Sequence, residues 1–319
     1  MRTLHLGLDE NGLGPRLGPL VVTVAAASGA GTALLTPLPR AKSLAALLGD
    51  SKEMASFADS SLGEAWARAL YTHRGLGELE SPAALLDYLL HDQPTLRAPC
   101  PPQHAAQCWG NGGEDFTADA SLVDACRRAL DYLARRELTL EHFRSTLVCS
   151  ARLNEGGQHG LSRLQMDLHA METLVLASAS ADVEVDAVLG KVGGYGFYGD
   201  VFGPLAGRLH VALEESRPRS SYRFPGLGTL SFVMDADASH TLVALASLVG
   251  KWVRDTFMRR VVRHHQALVG EELPYASGYH DPVTARFVER TALTRKRVQF
   301  PDDCFERITA PKKPAKTKR

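Results

Sequence analysis

The sequence predicts an α/β domain, a β-sheet flanked by helices, and three observations predict it. The chain opens with two strand-like runs joined by a Gly/Pro-rich turn. Long stretches with helical periodicity follow. Two further short β-type runs come late, one carrying an acidic residue and one ending in them.

Thr3 to Leu8 alternates and runs into Asp9-Glu10; after the turn, the apolar run Leu20 to Ala27 reads as a second strand. From about Ala41 to Arg144 the pattern is mostly helical, as in SLGEAWARAL, PAALLDYLL and LVDACRRALDYLARRE, broken by the loop APCPPQHAAQCWGNGGED. This reads as a helical elaboration. Leu161 to Ala179 is another helix, with Leu161, Leu164, Leu168, Met171 and Val175 forming a core stripe. Val183 to Leu189 is a strand carrying Asp186, followed by the Gly/aromatic stretch GKVGGYGFYGD. Thr229 to Met234 is a strand ending at Asp235-Ala-Asp237, and a helix follows from Thr241 to His265, small-faced at its start. The adjacent His264-His265 read as a helix-surface feature, since neighbouring helical residues do not face one ligand. No internal repeat is evident.

The divisions expected are 1–262 for a main domain with its helical elaboration at about 55–145, 263–305 for a helical and loop part, and 306–319 for a basic tail. The tail rests on RITAPKKPAKTKR, Lys/Pro-rich and nearly free of apolar residues.

Composition bounds the function without naming it. With 319 residues, 45% hydrophobic and 23% charged, the chain can bury a core. A net charge of zero means that a nucleic-acid partner must be held by local basic patches rather than by overall basicity. Five cysteines at irregular spacing do not describe a disulfide framework. Cys100, His104 and Cys108 lack a fourth zinc ligand at a recognisable spacing. No leader pattern and no long uncharged apolar run is present, so a cytoplasmic protein without membrane association is expected.

The carboxylates suggest chemistry. A lone acid such as Asp186 inside an apolar strand costs desolvation energy unless it is paired or coordinates a cation. Hard oxygen ligands suit Mg²⁺ or Mn²⁺, and a group of carboxylates can hold two such ions to activate water and stabilise a leaving oxygen. Phosphodiester hydrolysis is the reaction that such a geometry serves.

Four segments in one order carry a resemblance. GLDENGLGPRLGPLVV from Gly7 to Val22 resembles the opening of ribonuclease HII, the type 2 ribonucleases H. Gly49-Asp50-Ser51-Lys52 is similar to the family's DSK motif. DASHTLVALASLVGKWVRD from Asp237 to Asp255 is similar to its acidic residue, small-residue helix and Arg-Asp ending. Ser277 to Thr284, SGYHDPVT, resembles the SGYPSDPxT segment of the archaeal and eukaryotic branch. The matched segments cover under half of the chain.

The resemblance implies a ribonuclease H-like fold, a mixed five-stranded sheet flanked by helices, and an endonuclease that cuts the RNA strand of RNA/DNA hybrids to leave 3′-hydroxyl and 5′-phosphate ends. DNA containing embedded ribonucleotides is a further implied substrate, and the resemblance implies that 1–262 is the catalytic domain and that 263–305 helps to grip the substrate. Its four acidic residues carry over onto Asp9, Glu10, Asp186 and Asp237, with Asp235 as the fallback for the fourth, and they imply two Mg²⁺ or Mn²⁺ ions as cofactors. The family reads the 2′-hydroxyl through a Gly-Arg-Gly loop, which here is Gly12-Leu13-Gly14. Arg16, two residues on, is the candidate replacement for the missing arginine. Tyr279 matches a tyrosine that stacks on the sugar beyond the RNA-to-DNA junction. Ser51, Lys52 and Lys251 match motif positions that face phosphate. Asp255 beside Arg254 reads as a structural ion pair. The competing reading is a protein of the same fold that binds hybrids or junctions with little or no cutting.

Overall fold

A computed structural model of the chain describes residues 2–30, 46–47, 59–100, 106–110, 112–191 and 195–308. The Ser51-Lys52 pair, His104 and the tail beyond Ile308 lie outside them. The elements are β1 (Arg2–Asn11), β2 (Leu20–Gly29), α1 (Ser61–His73), α2 (Pro82–Leu89), α3 (Gln93–Arg97), α4 (Ala120–Arg135), β3 (Leu138–Val148), α5 (Ser150–Gln158) and α6 (Arg163–Ser178). They continue with β4 (Val183–Gly190), β5 (Val211–Glu215), β6 (Arg219–Phe224), β7 (Gly228–Val233), α7 (Ala236–Ser239), α8 (Thr241–Val269), α9 (Pro282–Arg297) and α10 (Asp302–Phe305).

The mixed sheet flanked by helices is present, with the strand order β3-β2-β1-β4-β7-β6-β5. β1, β2 and β3 form an antiparallel meander, and β4 runs parallel to both β1 and β7. Those five strands make the expected core. The β5–β6 hairpin adds two antiparallel strands on the far edge, with β5 wholly exposed.

Each face of the sheet has its own core. On one face α8 crosses β1 and β2, and α1, α2 and α4 pack behind it through Trp66, Leu85, Leu130 and Leu133. The helical elaboration therefore enlarges the core. Gly7 lets α8 come down onto β1, because a Cβ there would stand 2.4 Å from the backbone of Leu242 and Val243. On the other face α6 packs through Leu168, Met171 and Leu174 against the outward side chains of β1, β2 and β4. A third cluster joins Leu17, Met258, Phe287, Phe300 and Phe305, tying the C-terminal part to the loop after β1.

Three expectations change. Leu138 to Arg144, read with the helical stretch, belongs to β3; LTLEHFRSTLV alternates with a period of two, and its buried residues face α4 and β2. His264 and His265 are buried rather than on a helix surface, and His265 packs against Phe287, Phe300 and Phe305. Burial first, then the His264 charge, pushes its pKa down to about 3. Glu306 and Arg307, assigned to the tail, belong to the fold: Arg307 is buried and Glu306 pairs with Arg16. No helix among the described residues is long and apolar enough to cross a membrane.

Candidate active site

β1, β4 and β7 are mutually parallel neighbours, so their C-terminal ends lie side by side. Functional groups gather at such ends because the loops that follow are free to diverge. β1 brings Asp9 and Glu10. β4 ends at Gly190 beside them, where a Cβ would stand 3.0 Å from Asp9 Oδ1 and 3.6 Å from Glu10 Oε2. After β7 the chain turns through Asp235, held left-handed at φ 50°, into the short helix carrying Asp237. α8 completes the floor, with the Ser247 hydroxyl bonding the Asp9 carboxylate and Asn11 Nδ2 donating to Ser247 O at 3.2 Å.

These groups line an open cleft of about 580 Å³. Basic and aromatic groups also line it, with Lys191, Lys251, Tyr279 and the buried Arg254, together with the Gly12-Leu13-Gly14 turn. Asp9 is held well above the usual carboxylate range, first by burial, then by the charges of Glu10 and Asp237, with Ser247 opposing. Lys251 donates to Asp255 at 3.1 Å, and Arg254 lies 3.5 Å from the same carboxylate, so the expected ion pair is present and forms part of the wall. Arg254 also lies over the Tyr279 ring, 4.8 Å from its centroid. Tyr279 is 43% exposed, presenting its ring to the cleft.

Asp9, Glu10, Asp237, Gly12, Leu13, Gly14, Lys251 and Tyr279 thus come together, and the fallback Asp235 joins them. Asp186 does not. It lies four residues before Gly190 on β4, about 13 Å back along the strand at 3.3 Å per residue. There it faces His5 of β1 in register, with His5 Nδ1 3.2 Å from Asp186 Oδ2. The Asp186 side chain is half exposed, and its neighbour is a histidine rather than a second carboxylate. Arg16 is also displaced from its expected role: its guanidinium pairs with Glu306 outside the cleft lining. The guanidinium beside the glycine turn is Arg254; Gly12 sits at φ +88°, and a Cβ there would stand 2.3 Å from Arg254 Nε.

Three contributors escaped the sequence reading. Lys191 follows Gly190 into the cleft and donates to Ser216 O at 2.8 Å and Ser220 Oγ at 3.1 Å. Arg307 reaches under the glycine turn, donating to Gly12 O at 2.7 Å and Gly18 O at 2.8 Å. Burial pushes its pKa down to about 9. Asp167 of α6 is fully buried near Glu10 and Asp9. Its signal in the sequence is an acid that continues the apolar face of Met171 and Leu174 at helical spacing.

The cleft's donors are hard oxygens, the set that suits Mg²⁺ or Mn²⁺. Among the described residues no three His, Cys, Asp or Glu side chains form a ready-made cage. Mg²⁺ is commonly held by one or two carboxylates, several waters and the substrate phosphate rather than by an all-protein cage. The orphaned carboxylate of Asp167 behind the pair is the feature a cation there would explain. Cys100, Cys108, Cys149 and Cys304 line a separate small pocket, where burial raises all four thiols, Cys304 to about 12. They are protonated at neutral pH and poor nucleophiles.

Fold and cleft together define an α/β protein whose cleft gathers acidic and basic groups at the ends of parallel strands. No family model and no curated protein matches the chain. Among solved structures it is similar to Bst-RNase HIII in complex with Mn²⁺, at 15% identity and a TM-score of 0.44, over 96% of this chain. This chain spans 66% of the length of that protein. It is similar to RNase HII in its complex with PCNA from Archaeoglobus fulgidus, at 13% identity and a TM-score of 0.41, over 98% of each chain. It is also similar to ribonuclease H2 from Pyrococcus horikoshii, at 16% identity and a TM-score of 0.42, over 95% of this chain and 92% of that one. At such identities the functional reading rests on the cleft's own residues.

Proposed function

We propose that this chain is a divalent-metal-dependent endonuclease that hydrolyses the RNA strand of RNA/DNA hybrids, leaving 3′-hydroxyl and 5′-phosphate ends. The observation that carries the reading is the gathering of Asp9, Glu10 and Asp237 in one open cleft that Lys251, Arg254, Tyr279 and a glycine turn also line. When bound, Mg²⁺ or Mn²⁺ ions supply an activated water and charge stabilisation at the departing 3′ oxygen. Asp9, Glu10 and Asp237 are the residues to hold them, with Asp235 within the same cleft; Asp186 leaves the set on geometry. Lys191 and Lys251 face the phosphates of the incoming strand, and Arg254 holds the Tyr279 ring. The backbone groups of Gly12 and Gly14 read the 2′-hydroxyl at close range, and the Tyr279 ring stacks on a sugar beyond the cut.

A second reading, hybrid binding without cutting, draws on one observation: β4 ends at Gly190, with no side chain beside the Asp9-Glu10 pair. One assay separates the two. Wild type and Asp9→Asn are incubated with Mg²⁺ or Mn²⁺ and an end-labelled RNA/DNA hybrid, an all-DNA duplex, and a DNA duplex with one embedded ribonucleotide. Metal-dependent nicking of the hybrid by wild type alone supports the nuclease. Retention of the hybrid without nicking supports the binder. Cleavage of the third duplex at its ribonucleotide extends the activity to junctions despite Leu13; its absence confines the activity to longer hybrids.

A further inference from the structure

On the face of the sheet opposite α8, α6 carries a carboxylate that the reading above leaves unused. Asp167 has no exposed surface, and neither of its carboxylate oxygens has a hydrogen-bond partner. Its location follows from the connectivity. α6 leads into β4, which runs parallel to β1, so the first turns of α6 lie at the strand ends where Asp9 and Glu10 stand. Arg163 in the first turn confirms the placement by donating to Pro15 O, in the loop just after β1. Asp167 lies one turn further on, and its face continues through Met171 and Leu174 into the core against the sheet. Burial first, then the charges of Glu10 and Asp9, holds its carboxyl well above the usual range.

A buried acid with no hydrogen bond and two like-charged neighbours is among the most costly arrangements a core can hold, unless positive charge is supplied. The described cations that line the cleft, Lys191, Lys251 and Arg254, are not among the charges that act on Asp167, which lies outside that lining. Gly190 contributes no side chain from the strand side. We propose that Asp167 is a positioning residue behind a divalent-cation site at the ends of β1 and β4, adding its negative charge to that of the Asp9-Glu10 pair from the helix side where Gly190 leaves the strand side bare. The inference rests on the reading of the cleft as a cation site and deepens it, since it names a residue outside the recognised motifs.

The test is metal binding, read apart from cleavage. Wild type, Asp167→Asn and Asp167→Ser are titrated with Mn²⁺ by calorimetry, and their melting temperatures are measured with and without Mn²⁺. Both variants are expected to bind Mn²⁺ at least about tenfold more weakly, the size of effect typical of residues that support a metal site. They are also expected to melt higher than wild type in the absence of metal, with that advantage shrinking or reversing at saturating Mn²⁺. Mn²⁺ affinity within twofold of wild type overturns the proposal, as does a melting shift that is equal with and without Mn²⁺, the mark of a purely structural carboxyl. Failure of both variants to fold overturns it too, because removing an uncompensated charge should relieve the fold. A wild type that binds no Mn²⁺ removes both this inference and the nuclease reading. A wild type that binds Mn²⁺ through Asp167 yet cuts no hybrid removes only the nuclease.

Discussion

The two ends of the β1–β4 strand pair carry acids in opposite circumstances. At the start, Asp186 faces His5 in register, and that imidazole, which also lies 3.3 Å from Gly29 O, holds the Asp186 carboxyl below its usual range by hydrogen bond and charge. At the far end, Asp9 and Glu10 face Gly190, and burial and mutual repulsion hold Asp9 well above its usual range. The strands are the same, but exposure and the cross-strand partner both differ: the Asp186 side chain is half exposed, whereas burial is the main cause of the Asp9 shift. An acid in a buried strand marks a site only where the neighbouring strand fails to satisfy it, and only the far end of this pair meets that condition.

The contrast is broken most directly at Asp9. Asp9→Asn is expected to reduce metal-dependent hybrid cleavage by about 100-fold or more, the usual cost of deleting a central electrostatic group from a catalytic site. It is also expected to stabilise the metal-free fold. A carboxyl whose folded pKa is raised costs stability as pH climbs above the unfolded value of about 3.9, so the variant's advantage in melting temperature should appear above that pH and persist at neutrality. Cleavage rates and melting curves from pH 3 to 8 check both halves.

Arg307 is the next largest effect. Its guanidinium holds the carbonyls of Gly12 and Gly18 from beneath, so Arg307→Met leaves buried acceptors without a donor. A loss of about 2–3 kcal/mol in denaturant unfolding is expected, together with a several-fold rise in KM for the hybrid as the glycine turn loosens. An unchanged KM would separate the turn from substrate recognition.

Gly190→Asp makes the far end of β4 acidic. Its Cβ would stand 3.0 Å from Asp9 Oδ1, close enough to force a small shift, and the added charge would face two carboxylates. The metal-free protein is expected to lose about 1–2 kcal/mol. Saturating Mn²⁺ should recover most of it, and calorimetry should show tighter Mn²⁺ binding. Equal destabilisation with and without Mn²⁺ would mean that the far end does not take a cation.

Much of this was legible in the sequence because it is local. The strand-turn-strand opening, the Asp237 helix start, Lys251 and Tyr279 each sit in a short pattern with its own meaning, and the structure places all of them at one cleft. What failed depended on pairing between distant segments. Asp186 reads the same whether its cross-strand neighbour is a histidine or an ion, and only the register of β1 against β4 decides. Arg307 was read with the Lys/Pro-rich residues that follow it, although its partners lie nearly three hundred positions earlier, at Gly12 and Gly18. The thiols of Cys100, Cys108, Cys149 and Cys304 come from separated segments, so their spacing gave no hint that they share a pocket. β3 was absorbed into the helical stretch before it, because a strand of alternating pattern is easily overrun by strong flanking helices.

The smallest effect is expected at Asp186, and it is the one that tests the contrast from its quiet end. The folded carboxyl titrates below its unfolded value, so the ionised form contributes stability above about pH 3.9 that is lost as pH falls through the folded pKa. With the side chain half exposed, solvent screening limits that contribution to under about 1 kcal/mol. Asp186→Asn keeps the shape and can still bond His5, so the loss at pH 7 should be small and should vanish as pH falls below the folded pKa. Hybrid cleavage should stay within twofold of wild type. A fall in cleavage as deep as that of Asp9→Asn, with stability unchanged, would return Asp186 to the acidic set and would require β4 to shift by four residues against β1, moving Gly190 away from the Asp9 carboxylate.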